Sequence, residues 1–219
     1  VLIRHKEIPM LDLAALLGIA MTLSVGTMSP GPSFVMVART AVSASRADGV
    51  AAALGMGVGG VLFAIAALLG LNGLLQAVPS LYVALKVAGG LYLAYLGVRI
   101  WRGAGQGLSM SGDAPVAGAS WRRSFLYGLT TQVSNPKTAI VYASVFAAFM
   151  PQAPTVGFDL AVGAAVFVIE AGWYGIVAVV LSSARPRGVY LRAKSTIDRL
   201  AGGVMVLLGL KLVTSAARP

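Results

Sequence analysis

The chain has 219 residues, of which 58% are hydrophobic and 11% charged, with a mean hydropathy of +0.84 and a net charge of +10. A soluble domain carries about 25% charged residues, so this composition excludes an ordinary soluble fold. The apolar runs are also too long for barrel strands of about 10 residues, which leaves a bundle of membrane-spanning helices.

Six apolar segments follow one another, at roughly 11–37, 50–76, 80–101, 124–150, 157–182 and 200–215. The first follows a charged start, VLIRHKEIPM, and continues too far for a cleaved leader, so it is read as a span. The sequence leaves open whether residues 1–9, which precede Met10, belong to the native start. Asn72, Gly73 and Pro79 punctuate the gap after the second segment. The stretch RGAGQGLSMSGDAPVAGAS after the third has no periodicity and reads as a flexible linker over 102–123. It divides the chain into a first half, 1–101, and a second half, 124–219. The gap SARPRGVYLRAKST, 183–196, is the most basic part of the chain, and the last segment is short enough that it can begin earlier, near Ile197.

The charges give an orientation. The gaps after the first, third and fifth segments hold Arg39, Arg46, Arg99, Arg102, Arg122, Arg123, Arg185, Arg187, Arg192, Lys194 and Arg199. The opposite side holds Arg4, Lys6, Lys211 and Arg218. Basic loops are retained in the cytoplasm, so both termini are expected outside. The basic residues are not interleaved with aromatics that would stack bases, so nucleic acid is not expected as a partner. Cysteine is absent and His5 is the only histidine, so neither a metal site nor a histidine-based catalytic constellation is expected. GMGVGG at 55–60 lies inside an apolar run, without the strand and turn of a nucleotide loop. The expectation is a non-enzyme without cofactors.

The two halves echo each other. KVAGGLYLAYLGVR in the third segment resembles RLAGGVMVLLGLK in the sixth, matching Gly89–Gly90 to Gly202–Gly203 and, with a one-residue slip, Gly97 to Gly209. Ser29-Pro30-Gly31-Pro32 in the first segment matches Ser134-Asn135-Pro136-Lys137 in the fourth. Each half has three spans, an odd number, so the halves sit in opposite orientations. The predicted fold is an all-α integral membrane protein of six transmembrane helices, arranged as two inverted three-helix repeats with the first and fourth helices broken.

A proline in a helix removes a hydrogen bond donor, and Gly31 relaxes the backbone between Pro30 and Pro32. Carbonyls near Gly26, Thr27 and Met28 are then left without partners, which costs several kcal/mol against lipid. One such break is explained by a packed kink. Two at matching positions point to a transport site, where freed carbonyls meet an ammonium group or ion and a half-helix N-terminus meets a carboxylate. Lys137 follows the second break, and a charge at that depth is usually functional. It is expected to meet a substrate carboxylate or Glu170. Glu170 lies mid-span and suits proton coupling, substrate contact or a structural pair. Gln132, one turn before Pro136, is placed to satisfy a freed carbonyl. Asn72, Gln76, Tyr92, Tyr95, Tyr127, Tyr142, Trp173 and Tyr174 are weaker candidates, for which packing is the simpler reading. Lys86 is read as reaching the headgroups.

Residues 24–59, SVGTMSPGPSFVMVARTAVSASRADGVAAALGMGVG, resemble the signature of the LysE/RhtB family of amino-acid exporters. GGLYLAYLGVRIW at 89–101 resembles its third span, and FLYGLTTQVSNPKTAIVYASVFAAFM at 125–150 its Asn-Pro-Lys segment. The resemblance runs over nearly the whole chain from Met10. It implies a bacterial inner-membrane exporter of amino acids or close derivatives, with threonine, homoserine, lysine and arginine among members' substrates and the proton motive force as driver. The family's motif residues fall on Ser29, Pro30, Gly31, Pro32, Asn135, Pro136 and Lys137, and Gly49 and Gly55 also match. Ser33-Phe34 departs from the small residue frequent there. The expected partners are a small amino acid, protons and the lipid bilayer, and both a monomer and a homo-oligomer are compatible with the sequence. A passive channel for small polar solutes and a non-transporting membrane scaffold are the competing readings.

Overall fold

In a computed structural model of the chain, described for residues 10–29, 31–77, 79–106, 120–151 and 154–216, the fold is helical throughout the described residues. The helices are α1 (Met10–Met28), α2 (Pro32–Ser43), α3 (Arg46–Ala77), α4 (Pro79–Gly103), α5 (Trp121–Val133), α6 (Pro136–Phe149), α7 (Val156–Leu181) and α8 (Ala184–Ala216). Both expected breaks are present. Helices α1 and α2 meet at a bend of 58°, and Ser134 and Asn135 separate α5 from α6. Pro32 and Pro136 each open a new helix, where the missing N–H costs nothing. Pro30 lies outside the described residues, as do residues 1–9 and most of the expected linker.

Three boundaries differ from the sequence reading. Helix α3 runs through Asn72 and Gly73, and Pro79 begins α4 rather than ending a loop. Ser120 caps α5, accepting from the Arg123 amide, so helix resumes ahead of the fourth apolar run. The largest difference is at α8, which begins at Ala184, so the basic gap is helical. The reason lies in its charges. Lys194 and Asp198 stand one turn apart and pair with each other, which supports a helix rather than a loop.

By length and composition, two described helices can cross a membrane, Arg46–Gly70 and Val156–Leu181, and the bent pair α1–α2 makes a third if it counts as one span. The outer surface fits that environment, with Leu69, Val156, Leu160 and Leu207 all more than two-thirds exposed.

The most extensive helix contacts are α4 with α8, and α3 with α5 and α7. Glycine allows these close approaches. A Cβ added at Gly97 would lie 2.5 Å from the Gly202 carbonyl oxygen, and one at Gly202 would lie 2.6 Å from that of Gly97. Further along, Gly209 packs on the backbone of Gly90 and Ala94. The order of these contacts makes α4 and α8 antiparallel. At the start of α3, Ser45 Oγ accepts from the Asp48 amide at 3.0 Å and donates to Asp48 Oδ2 at 2.6 Å, capping the helix. Ser124 Oγ donates to Asp48 Oδ1 at 2.9 Å, tying α5 to this cap.

Apolar packing forms two clusters. One gathers Ile19, Leu23, Val145, Phe146, Phe158 and Val162. The other gathers Phe34, Val37, Met56, Tyr174, Val177 and Ala178. Along α1–α2 and along α7, the polar residues Thr27, Ser29, Ser33 and Glu170 fall between the two clusters, and all four are buried.

The α4–α8 crossing has no room for a side chain. Gly97→Val or Gly202→Val is expected to destabilise the protein by about 1–3 kcal/mol, whereas Gly172→Ala, which meets nothing within 4 Å, is expected to cause no loss. Thermal unfolding of the three variants in detergent checks the contrast.

Candidate functional site

The site is built where the two breaks meet. Asn135 ends the α5–α6 gap and caps α6, its Oδ1 accepting from the Lys137 amide at 3.0 Å. Its Nδ2 donates to Ser33 Oγ at 2.9 Å, and Ser33 Oγ donates to Gln132 Oε1 at 3.0 Å. The first turn of α2 is thereby tied to both sides of the second break. All three residues are buried, so each bond replaces hydration that burial removes.

Lys137 reaches the other way. Its Nζ donates to the carbonyl oxygens of Ser29 at 3.1 Å and Gly26 at 3.4 Å. These belong to the broken C-terminal end of α1, which carries partial negative charge and lacks the next turn's donors. The cation of one half thus satisfies carbonyls opened in the other. Of the carbonyls expected to be free, Gly26 is one of the two engaged. Gly31, the N-cap of α2, has φ −156° and ψ −169°, extended values that any residue adopts. The backbone relaxation expected of it is therefore not required here, and it stands beside the Lys137 ammonium. A Cβ there would lie 3.4 Å from Lys137 Nζ.

Glu170 approaches the same space from α7. It stands on the stripe Phe158, Val162, Val166, Glu170, Tyr174, Ala178, which faces inward at steps of four. Its Oε1 accepts from Tyr142 OH at 2.9 Å and Thr27 Oγ1 at 3.1 Å. Its Oε2 is buried without a hydrogen bond, and so is Ser29 Oγ. Lys137 and Glu170 form no ion pair within 4.0 Å; among the described residues that distinction belongs to Lys194 and Asp198. Gly60 on α3 makes the arrangement possible, since a Cβ there would lie 2.8 Å from Tyr142 OH and 3.0 Å from Glu170 Cγ.

Gly26, Thr27, Ser29, Ser33, Lys137 and Glu170 are among the residues lining one cavity. It has room for about one water. Of the sequence candidates, Ser29, Gly31, Asn135, Lys137 and Glu170 line it, and Gln132 bonds to its wall. Tyr142 and Tyr174, weaker candidates from the sequence, line it as well. Trp173 packs against the second apolar cluster. Tyr92 and Tyr95 pair with each other, at 6.1 Å between ring centroids, away from the cavity. The side chains of Asn72, Gln76, Lys86 and Pro136 lie outside the described residues. Sequence reasoning passed over the side chain of Thr27 and noted Ser33 only as a departure from the family pattern, although both are polar residues within four positions of Pro30 in an apolar run.

Residues 24–216 match the LysE type translocator family. The chain belongs to that family. It is therefore a translocator and not an enzyme. This LysE type translocator is 36% identical over 200 residues to the threonine efflux protein of Escherichia coli K12, covering 91% of this chain and 97% of that protein. It is 34% identical over 198 residues to the threonine efflux protein of Salmonella typhi, covering 90% and 96%. An uncharacterized membrane protein of Haemophilus influenzae is 30% identical over 191 residues, covering 86% and 90%. No solved structure matches.

Asn135→Ala removes the α6 cap and the bond to Ser33. The expected loss is about 1–2 kcal/mol, larger than for Ser134→Ala at the exposed neighbouring position. Denaturation midpoints of the two variants in detergent measure the difference.

Proposed function

We propose that this translocator is a secondary exporter of small amino acids or their derivatives, driven by exchange with protons across a bacterial inner membrane. The observation that carries this reading is the meeting of both breaks in one cavity that holds Lys137 and two unused buried polar atoms, Ser29 Oγ and Glu170 Oε2. A zwitterion matches that set. Its ammonium takes Glu170 Oε2, and its carboxylate takes the Ser29 hydroxyl and an N–H of Lys137. A proton and the substrate ammonium then compete for one carboxylate, which is the minimum that antiport requires. Two relatives of nearly the same length are named threonine efflux proteins, and threonine is the first substrate to test. The cavity is too small for an amino acid as it stands, so binding requires the halves to move apart. That favours a carrier over an open channel.

In this reading α1–α2, α3 and α4 are the three spans of one repeat, and α5–α6, α7 and α8 those of an inverted second, with 102–123 as the linker. The α4–α8 glycines support it. The sequence repeat equates Gly89–Gly90 with Gly202–Gly203 and, with a one-residue slip, Gly97 with Gly209, and to within that slip the contacts are reciprocal, joining Gly97 to Gly202 and Gly90 to Gly209. Reciprocal contacts of this kind are what a two-fold axis generates. The contacts of α3 with α5 likewise mirror those of α7 with α1. Among the described residues, the contacts of α2 with α3 and of α4 with α6 are not matched by equally extensive contacts of α6 with α7 and of α8 with α2, as expected of a carrier held in one of two access states. The excess of basic residues puts the loops after the first, third and fifth spans in the cytoplasm and both termini outside.

Transport of labelled L-threonine in proteoliposomes with an imposed pH gradient tests the proposal. Lys137→Met is expected to lower the rate about tenfold or more, equivalent to losing one charge-assisted hydrogen bond of ~1.5–3 kcal/mol. Glu170→Gln is expected to abolish the response to the pH gradient. Wild-type rates and pH dependence in both variants would overturn the assigned roles.

A further inference from the structure

Helix α8 carries charge on its buried side. Tyr190, Lys194 and Asp198 recur every fourth residue and share one face. Lys194 is 8% exposed and Asp198 4%, while Leu200 on the same helix is 66% exposed. Lys194 Nζ donates to Asp198 Oδ2 at 2.7 Å. Burying such a pair gains little over apolar packing, because both ions lose their hydration. The pair also leaves polar capacity unused, since Asp198 Oδ1 and the Tyr190 hydroxyl are buried without hydrogen bond partners.

These residues do not line the central cavity, but they adjoin it. The Tyr190 ring stacks on Phe34 at 5.1 Å between centroids, and Phe34 follows Ser33, which is bonded to Gln132 and Asn135. The face therefore leads from the basic end of α8, with Arg185, Arg187 and Arg192, toward the meeting of the two breaks.

We propose that Tyr190, Lys194 and Asp198 form a second amino-acid-binding site, on the approach from the basic end of the bundle to the central cavity. There the ion pair opens to receive a zwitterion. The substrate carboxylate takes Lys194 and the Tyr190 O–H, and its ammonium takes both oxygens of Asp198. Each member of the pair exchanges one partner for another of the same charge, so the site opens without stranding a buried ion. The proposal rests on the exporter reading and adds a site to it.

Steady-state transport of L-threonine in proteoliposomes, loaded from the basic side, separates this site from a structural ion pair. Asp198→Asn and Lys194→Met are each expected to raise KM about tenfold, with kcat much less affected. The double variant K194M/D198L removes both charges together. A structural pair predicts that the double variant recovers the wild-type KM, because no ion is stranded, and that result overturns the proposal. The binding site predicts that the double variant unfolds at or above the wild-type temperature yet keeps the raised KM. Wild-type KM in every variant also overturns it. A wild-type protein that transports no amino acid overturns the exporter reading, and this site with it.

Discussion

The ammonium of Lys137 closes the open end of α1. Two backbone carbonyls, those of Gly26 and Ser29, would otherwise point into a low-dielectric interior without donors. Lys137 would otherwise be a cation at membrane depth without a counter-charge in contact. Each group is costly alone, and each satisfies the other. The contact also crosses the chain, from α6 in the second half to the break in the first, so it fixes where the two interruptions sit relative to each other. Asn135 reinforces the placement from the same turn, capping α6 with one side-chain atom and holding Ser33 with the other.

Around that contact the bundle separates apolar from polar packing by depth. The two hydrophobic clusters take the ends of α1–α2 and α7, and the polar side chains occupy the level between them. Glycine makes this level narrow, with Gly60 admitting Tyr142 and Glu170 side by side and Gly59 making room for Gln132. The same device works at the α4–α8 crossing, where backbone meets backbone. Contacts built on glycine lack interdigitating side chains, so helices joined this way slide at low cost. That property suits the exporter proposed above, whose small cavity would widen to admit an amino acid.

Much of this was legible in the residues. Proline and glycine inside apolar runs marked the breaks, because no other local chemistry interrupts a helix so reliably. The Ser29–Pro32 and Asn135–Lys137 motifs supplied Ser29, Gly31, Asn135 and Lys137 of the cavity wall, and the family resemblance included them. The partner of Lys137 was not legible, since a sequence shows which carbonyls are freed but not which cation reaches them. The start of α8 was misread because a basic stretch resembles a loop. Its four-residue spacing of Tyr190, Lys194 and Asp198 carried the helical signal, and only burial shows that this face turns inward. Ser33 and Phe34 stood out as a departure from the family pattern. Their roles, a bond to the second break and a stack on Tyr190, depend on helices distant in sequence.

The central claim is that Lys137 sits on the carbonyls of the first break. Solid-state NMR in lipid bilayers, with ¹⁵N on the lysine side chains and ¹³C on the serine carbonyls, measures it directly. The N···O distance is 3.1 Å, and with a C=O bond of ~1.23 Å the nitrogen-to-carbon separation is below about 4.5 Å. The account predicts a dipolar coupling of that range that disappears in Lys137→Arg. A spectrum in which the substitution removes no such coupling would contradict it.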